Sequence, residues 1–238
     1  MHVVQLWRYP VKSLAGEPLQ RADVGPLGIA GDRQLGLVDR ATGLVLTARR
    51  VPELLFASFE PTADGAPAVR LPDGTLTADA TALSAWIGRD VELRAPAPDE
   101  SGRYEIAVDD ARPDGEWIRW EGPPGVFHDS TRTRLSIIAE QALRDWDVRR
   151  FRPNIVISGG DERELVGARV RIGGAVLDVV KEVDRCVIVT RPQPGIARDL
   201  EVLRTITERR AGNLGVGALV AEAGTVAVGD RVDVVTAV

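Results

Sequence analysis

Glycine and proline interrupt this 238-residue chain at short intervals along its whole length, 24 Gly and 15 Pro spread out rather than gathered in a linker. Between them lie short Val-, Leu- and Ile-rich runs. That pattern leaves little room for long helices and predicts strands joined by tight turns, so the chain is expected to be mainly β. No apolar run approaches the roughly 20 residues a membrane-spanning helix needs, and no membrane association is expected. Residues 35–38 (Leu-Gly-Leu-Val) and 44–46 (Leu-Val-Leu) form one predicted hairpin, turning through Asp39-Arg40-Ala41-Thr42-Gly43. Residues 168–172 and 175–180 form another across Gly173-Gly174. The second strand of that pair is apolar almost without a break, as in a strand buried on both faces.

Helical signals are few and short. Asp79 or Thr81 can cap a segment that runs through Trp86 and stops at Gly88. Residues 138–146 place Ile138, Ala142, Leu143 and Trp146 at helical spacing. Residues 200–210 line up Leu200, Leu203 and Ile206 and close on Ala211-Gly212-Asn213. Each is expected to pack on a barrel. Residues 96–125 are richer in Pro, Gly, Asp and Glu than their flanks and are read as a junction or mobile loop, part of which packs because it carries Trp117 and Trp120. The chain is therefore divided into 1–95, 96–125 and 126–238.

Charge and cysteine usage narrow the function. With 30 Lys and Arg against 35 Asp and Glu, a strongly basic nucleic-acid binder is not expected. One cysteine, Cys186, excludes an intramolecular disulfide, a Cys-rich zinc site and an iron–sulfur cluster held by this sequence alone. Only His2 and His128 are available as imidazole ligands. A lone thiol fits a reducing compartment. Met1-His2-Val3-Val4-Gln5-Leu6 reads as a strand rather than a signal peptide, so the expected location is cytoplasmic.

Five short strings can carry chemistry. Tyr9-Pro10-Val11-Lys12-Ser13 sets an ammonium beside a hydroxyl on a proline-stiffened turn, which suits an oxyanion or a solvated strand end. In Gly28-Ile29-Ala30-Gly31-Asp32-Arg33 the arginine offers a bidentate fork, or it pairs with Asp32 as a structural ion pair. Arg49 and Arg50 point to opposite faces if their strand continues, so at most one of them faces a common site. Arg149-Arg150-Phe151-Arg152-Pro153-Asn154 leads a basic stretch into an apolar strand, with Arg152 and Asn154 on one side of it. Cys186, followed by Val-Ile-Val, is either a small core residue or a thiolate favoured by Arg185 and Lys181.

Taken in order, these strings resemble the MOSC family, the molybdenum-cofactor sulfurase C-terminal type of domain with its N-terminal β-barrel companion. Tyr-Pro-Val-Lys-Ser at 9–13, Gly-Ile-Ala-Gly-Asp-Arg at 28–33 and Leu-Thr-Ala-Arg-Arg-Val-Pro at 46–52 look like the companion domain. Arg-Phe-Arg-Pro-Asn-Ile-Val-Ile at 150–157, the Arg185-Cys186 pair, Glu-Val-Leu-Arg-Thr at 201–205 and Gly-Thr-Val-Ala-Val-Gly-Asp at 224–230 look like the MOSC domain itself. The resemblance implies two β-barrel units with few short helices. It also implies a molybdenum–molybdopterin cofactor and the reduction of N-hydroxylated compounds, such as amidoximes, hydroxylamines and N-hydroxylated bases, as in the amidoxime-reducing proteins. Cys186 is then both the metal ligand and the catalytic residue. Lys12, Ser13, Arg33, Arg49, Arg152, Asn154, Asp184 and Arg185 are then cofactor contacts, joined by Thr131, Arg132 and Thr133 from a looser block. Electrons are expected from a separate protein. The alternative is a cofactor or sulfur carrier with a persulfide on Cys186. This chain departs from the pattern at Val183, where many relatives carry cysteine, and at Gly217, where an aromatic is common.

Overall fold

The computed structural model describes residues 1–108 and 115–237. Strands dominate, and among these residues the α-helices are Ala80–Ile87, Glu140–Leu143 and Glu201–Arg210. The strand expected at the N-terminus is His2–Arg8. It lies in an eight-stranded sheet whose order is Val232–Ala237, Ala168–Ile172, Ala175–Asp184, Asn213–Glu222, Leu135–Ala139, Ile155–Ser158, His2–Arg8 and Glu17–Leu19. The opening strand thus pairs with a strand more than 140 residues away, His2 facing Ser158 and Leu6 facing Ile155.

The sheet curls on itself. Val3 N donates to Asp230 O (2.8 Å) and Val232 N to Met1 O (3.0 Å), which ties a strand near one edge to the turn leading into the other edge. Inside the curl, Val3, Leu6, Ile137, Ile155, Val170, Leu177 and Val216 form one continuous core. Short runs of β-branched residues suit this position, since each fills both sides of a pleated surface. The Gly173-Gly174 hairpin joins Ala168–Ile172 to Ala175–Asp184 with Ile172 opposite Ala175, as its sequence predicts.

A second core, around Leu14, Leu37, Leu54, Leu83 and Val91, lies under residues 35–94. There Gly36–Asp39 pairs with Val91–Arg94. Residues 44–46 meet the first of these strands through a single bridge, Val38 to Val45, flanked by Asp39 N to Leu44 O and Leu46 N to Leu37 O. Helix Ala80–Ile87 begins at Asp79, whose carboxylate accepts from Ala82 N at 2.9 Å, and stops at Gly88 with φ +71°. Within residues 96–125, Ser101–Ala107 and Trp117–Pro124 form an antiparallel hairpin, with Tyr104 packed against Trp120. Residues 109–114 of that stretch lie outside the described residues.

Two helix expectations need correction. Residues 138–146 are not one helix: Leu135–Ala139 is a strand, parallel to Ile155–Ser158, and only Glu140–Leu143 is helical. Ile137 and Ile138 are both fully buried, one in the barrel core and the other against Leu143 and Phe151 outside it. Of the positions read as one stripe only Ile138 lies in the strand, where burial on both faces leaves no polar alternation to mark it, while Ala142 and Leu143 lie in the short helix. The last helix is Glu201–Arg210, and its buried residues are Val202 and Ile206; Leu200 precedes it and is 55% exposed.

Candidate functional site

One cavity of about 450 Å³ opens where the curled sheet, the 9–13 turn, the 47–50 turn and the 101–124 hairpin meet. All twelve residues singled out from the sequence line it: Lys12, Ser13, Arg33, Arg49, Thr131, Arg132, Thr133, Arg152, Asn154, Asp184, Arg185 and Cys186. Among the described residues its wall holds eight cationic side chains, with Arg150 and Lys181 added to those named, against the three carboxylates of Glu121, Asp129 and Asp184. The chain as a whole carries a charge of −5. The cavity therefore reverses the sign of the protein and concentrates a field that attracts anions.

Cys186 is half-buried in this wall, where the strand Ala175–Asp184 gives way to the short 3₁₀ turn Val187–Thr190. The cation at its sulfur comes from the other half of the chain. Arg49 Nε donates to Cys186 Sγ at 3.3 Å. Arg185, the expected neighbour, keeps its charge close enough to act on Cys186, but its hydrogen bonds go to the backbone, Nε donating to Leu214 O (2.7 Å) and Nη1 to Phe151 O (2.8 Å). Lys181 pairs with Asp184 at 3.1 Å. The adjacent arginines do part company, through a turn rather than a continuing strand: Arg50 pairs with Glu105 and lies over the Trp117 ring.

Tyr9 organises the opposite wall. Its buried ring lies under Arg152 (4.3 Å to the centroid) and Arg33 (5.1 Å), and its hydroxyl donates to Pro153 O at 3.1 Å. Burial raises the Tyr9 pKa, so the phenol stays neutral beneath the two cations. Asp32 is fully buried, accepts from Tyr9 N at 2.7 Å and pairs with Arg33, so the structural ion pair and the cavity-lining role of Arg33 coexist. Burial works against the Arg33 charge, but Asp32 and Asp129 outweigh it and raise its pKa. Ser13, Arg33 and Arg152 all adopt left-handed backbone, at φ +69°, +51° and +52°. Such conformations cost about 1 kcal/mol or more each and persist where the surroundings hold them. Here the result is a fixed arrangement of donors.

Some of those donors lack acceptors. Among the described residues, Arg152 Nη2, Arg185 Nη2 and His128 Nε2 are buried without a hydrogen-bond partner, and all three residues line the cavity. Burial lowers the pKa of Arg152 and of Arg185 to about 10, which still leaves both charged at neutral pH. His128 is pushed down to about 3, by burial first and then by Arg33, and is neutral. Lys12 is buried and pairs with Asp129 at 2.8 Å. Its pKa falls to about 8 because burial outweighs that pairing. For Asp129, burial is outweighed by Lys12, Arg49 and Arg33, which hold its carboxyl well below the usual range. Asn154 is committed within the protein, Oδ1 accepting from Ser136 N (3.1 Å) and Nδ2 donating to Trp7 O (3.4 Å).

Residues 1–95 match the MOSC N-terminal beta barrel domain and residues 128–233 match the MOSC domain. The chain belongs to the MOSC family. Human mitochondrial amidoxime-reducing component 1 is 27% identical to it in an alignment covering 87% of this chain and 72% of that protein. In fold it resembles the YuaD protein of Bacillus subtilis, with a TM-score of 0.50, 15% identity, and 98% of this chain and 94% of that one covered.

One departure from the family pattern has a local explanation. Gly217 is buried on Asn213–Glu222, and a β-carbon there would collide with the Thr133 side chain. Glycine at this position is what lets Thr133 reach the cavity wall. Val183 also lines the wall. Sequence reasoning missed Asp129, Trp120 and His128 as wall residues and Tyr9 as the support for two arginines. A buried lysine needs a carboxylate partner, but no signal in the sequence singles out Asp129, or which indole faces the cavity.

Proposed function

We propose that this MOSC-family protein is an oxidoreductase that holds a molybdenum–molybdopterin cofactor in the cavity and reduces N-hydroxylated compounds with electrons from a separate protein. The observation that carries this reading is a thiol set into a cavity whose cationic wall keeps buried guanidinium N–H groups without acceptors. A buried unsatisfied donor costs about 1–3 kcal/mol, which an anionic or heteroatom-rich ligand relieves. A phosphorylated pterin dithiolene is such a ligand, and its dithiolene brings soft donors that complement a thiolate at molybdenum. Among the described residues no three His, Cys, Asp or Glu side chains are grouped to hold a bare ion. A metal at Cys186 therefore depends on ligands that arrive with it.

In this reading Cys186 binds the metal, and Arg49 Nε donates to its sulfur at 3.3 Å. Lys12, Ser13 and Arg33 hold the phosphate, and Arg152 and Arg185 direct their open Nη2 groups to the pterin. Thr131, Arg132 and Thr133 close the cavity from the 128–134 segment, and Asn154 fixes the strand that carries Arg152. When bound, the group supplies a two-electron reduction that breaks the N–O bond; two protons are taken up and water leaves. One cysteine is too few for an iron–sulfur cluster built by these 238 residues, which supports delivery of electrons from outside them. The lone thiol also supports a reducing, cytoplasmic location.

The test is turnover of benzamidoxime to benzamidine with a reduced artificial donor, using protein made in a cofactor-competent host. Wild type is expected to turn over and Cys186→Ala to fall to background. Molybdenum-loaded wild type that leaves benzamidoxime, hydroxylamine and N-hydroxylated bases untouched would overturn the reductase reading. A persulfide on Cys186 in protein without molybdenum would instead support a sulfur carrier.

A further inference from the structure

The hairpin beside the cavity has two chemically different faces. Residues directly opposite one another in an antiparallel pair share a face. Arg103 faces Glu121 and Glu105 faces Arg119, so one face carries paired charges. Tyr104 faces Trp120 and Ile106 faces Ile118, so the other is apolar. Tyr104 on that face is fully buried, Trp120 and Ile106 line the cavity, and Ile118 stands 54% exposed. The apolar strip thus continues the cavity wall outwards.

Trp120 is held rigidly. Its Nε1 donates to Asp129 O at 3.0 Å, and its ring packs on Tyr104 at 5.2 Å between centroids. The Arg49 guanidinium lies 5.4 Å from the same ring and also touches Cys186 Sγ. One guanidinium therefore contacts both the indole and the thiol. Aliphatic side chains at Val183, Ile188 and Val189 also line the wall beside Cys186, but the half-buried Trp120 adds a flat ring beside which a substrate's apolar part can leave water.

We infer that Trp120, Ile106 and Ile118 form a specificity wall that favours N-hydroxylated substrates bearing a flat, uncharged apolar body over small polar ones. This rests on the proposed function, and it narrows the substrate class to aromatic amidoximes and their like. Tyr104 and Arg49 already pack on the indole, so a flat body lies along the uncovered rim of the ring and covers Ile118, leaving the N–OH group towards Cys186.

The test compares benzamidoxime with acetamidoxime, which has the same reacting group and only a methyl body. Equilibrium binding is measured calorimetrically on cofactor-loaded protein without an electron donor, and KM and kcat are measured with one. Ile118→Asp and the milder Ile118→Ala alter an exposed position, so both are expected to fold. Ile118→Asp is expected to weaken benzamidoxime binding and raise its KM roughly tenfold, with Ile118→Ala in between. The acetamidoxime constants and both kcat values should stay within about twofold. Equal effects on the two ligands, or no effect on benzamidoxime binding, would overturn the wall. Because binding is read without donor, selective weakening there would uphold the wall even if neither compound is reduced, an outcome that would count against the reductase reading alone.

Discussion

Lys12 shows how a single residue couples the fold to ligand binding. Its ammonium is buried against one carboxylate and faces other cations, so its pKa sits near 8 rather than in the ordinary lysine range. The sign follows directly. Below about pH 8 the folded protein carries a buried charge that is costly, and that cost is relieved as pH rises towards the ordinary range, where the unfolded chain also loses the proton. Anion binding runs the other way, since it needs the ammonium. Sulfate keeps its charge over this range and serves as the probe. Its affinity for cofactor-free protein is expected to be level below about pH 7 and to fall as pH rises through 8. Titration calorimetry of wild type and Lys12→Met checks this: the variant should bind more weakly with a flat profile, and an unchanged slope would assign the proton elsewhere. Residues of this kind were legible in part. Lys12, Ser13 and Arg33 stand out because charged side chains cluster at turns next to apolar strands. Asp129, which makes burial of Lys12 tolerable, is distant in sequence, and only the fold brings the two together.

At the scale of elements, local chemistry decided what could be foreseen. Asp79 and Gly88 mark the ends of Ala80–Ile87 because cap and left-handed terminus are local demands. The Gly173-Gly174 hairpin is local in the same sense. The helix expected over 138–146 gives way at its start to the strand Leu135–Ala139, whose burial on both faces is imposed by partners at 155–158 and 213–222 that a short window of sequence does not contain. The last helix ends on Ala211, held at φ +48° and ψ +38°, where a β-carbon is unfavourable. Ala211→Gly is expected to stabilise the protein by about 1 kcal/mol, read as a higher urea midpoint with an unchanged m-value. A lower midpoint would mean that the Ala211 methyl makes packing contacts that outweigh the backbone strain.

At the scale of the whole molecule, the cavity exists because the chain crosses between its halves. Strand His2–Arg8 belongs to the sheet built from residues 135–237, which places the 9–13 turn beside Arg152 and Asn154, and the 47–50 turn reaches across to Cys186. The twelve residues named from sequence converge on this one cavity, although nothing in their spacing says that Arg49 rather than Arg185 meets the sulfur. That partnership is tertiary, 137 residues apart. The central claim is that this convergence serves a molybdenum–pterin group anchored on Cys186. The most direct test is elemental analysis with pterin fluorescence on protein purified from a cofactor-competent host. Stoichiometric molybdenum and pterin are expected in wild type, with molybdenum greatly reduced in Cys186→Ala; wild-type protein carrying neither would contradict the account.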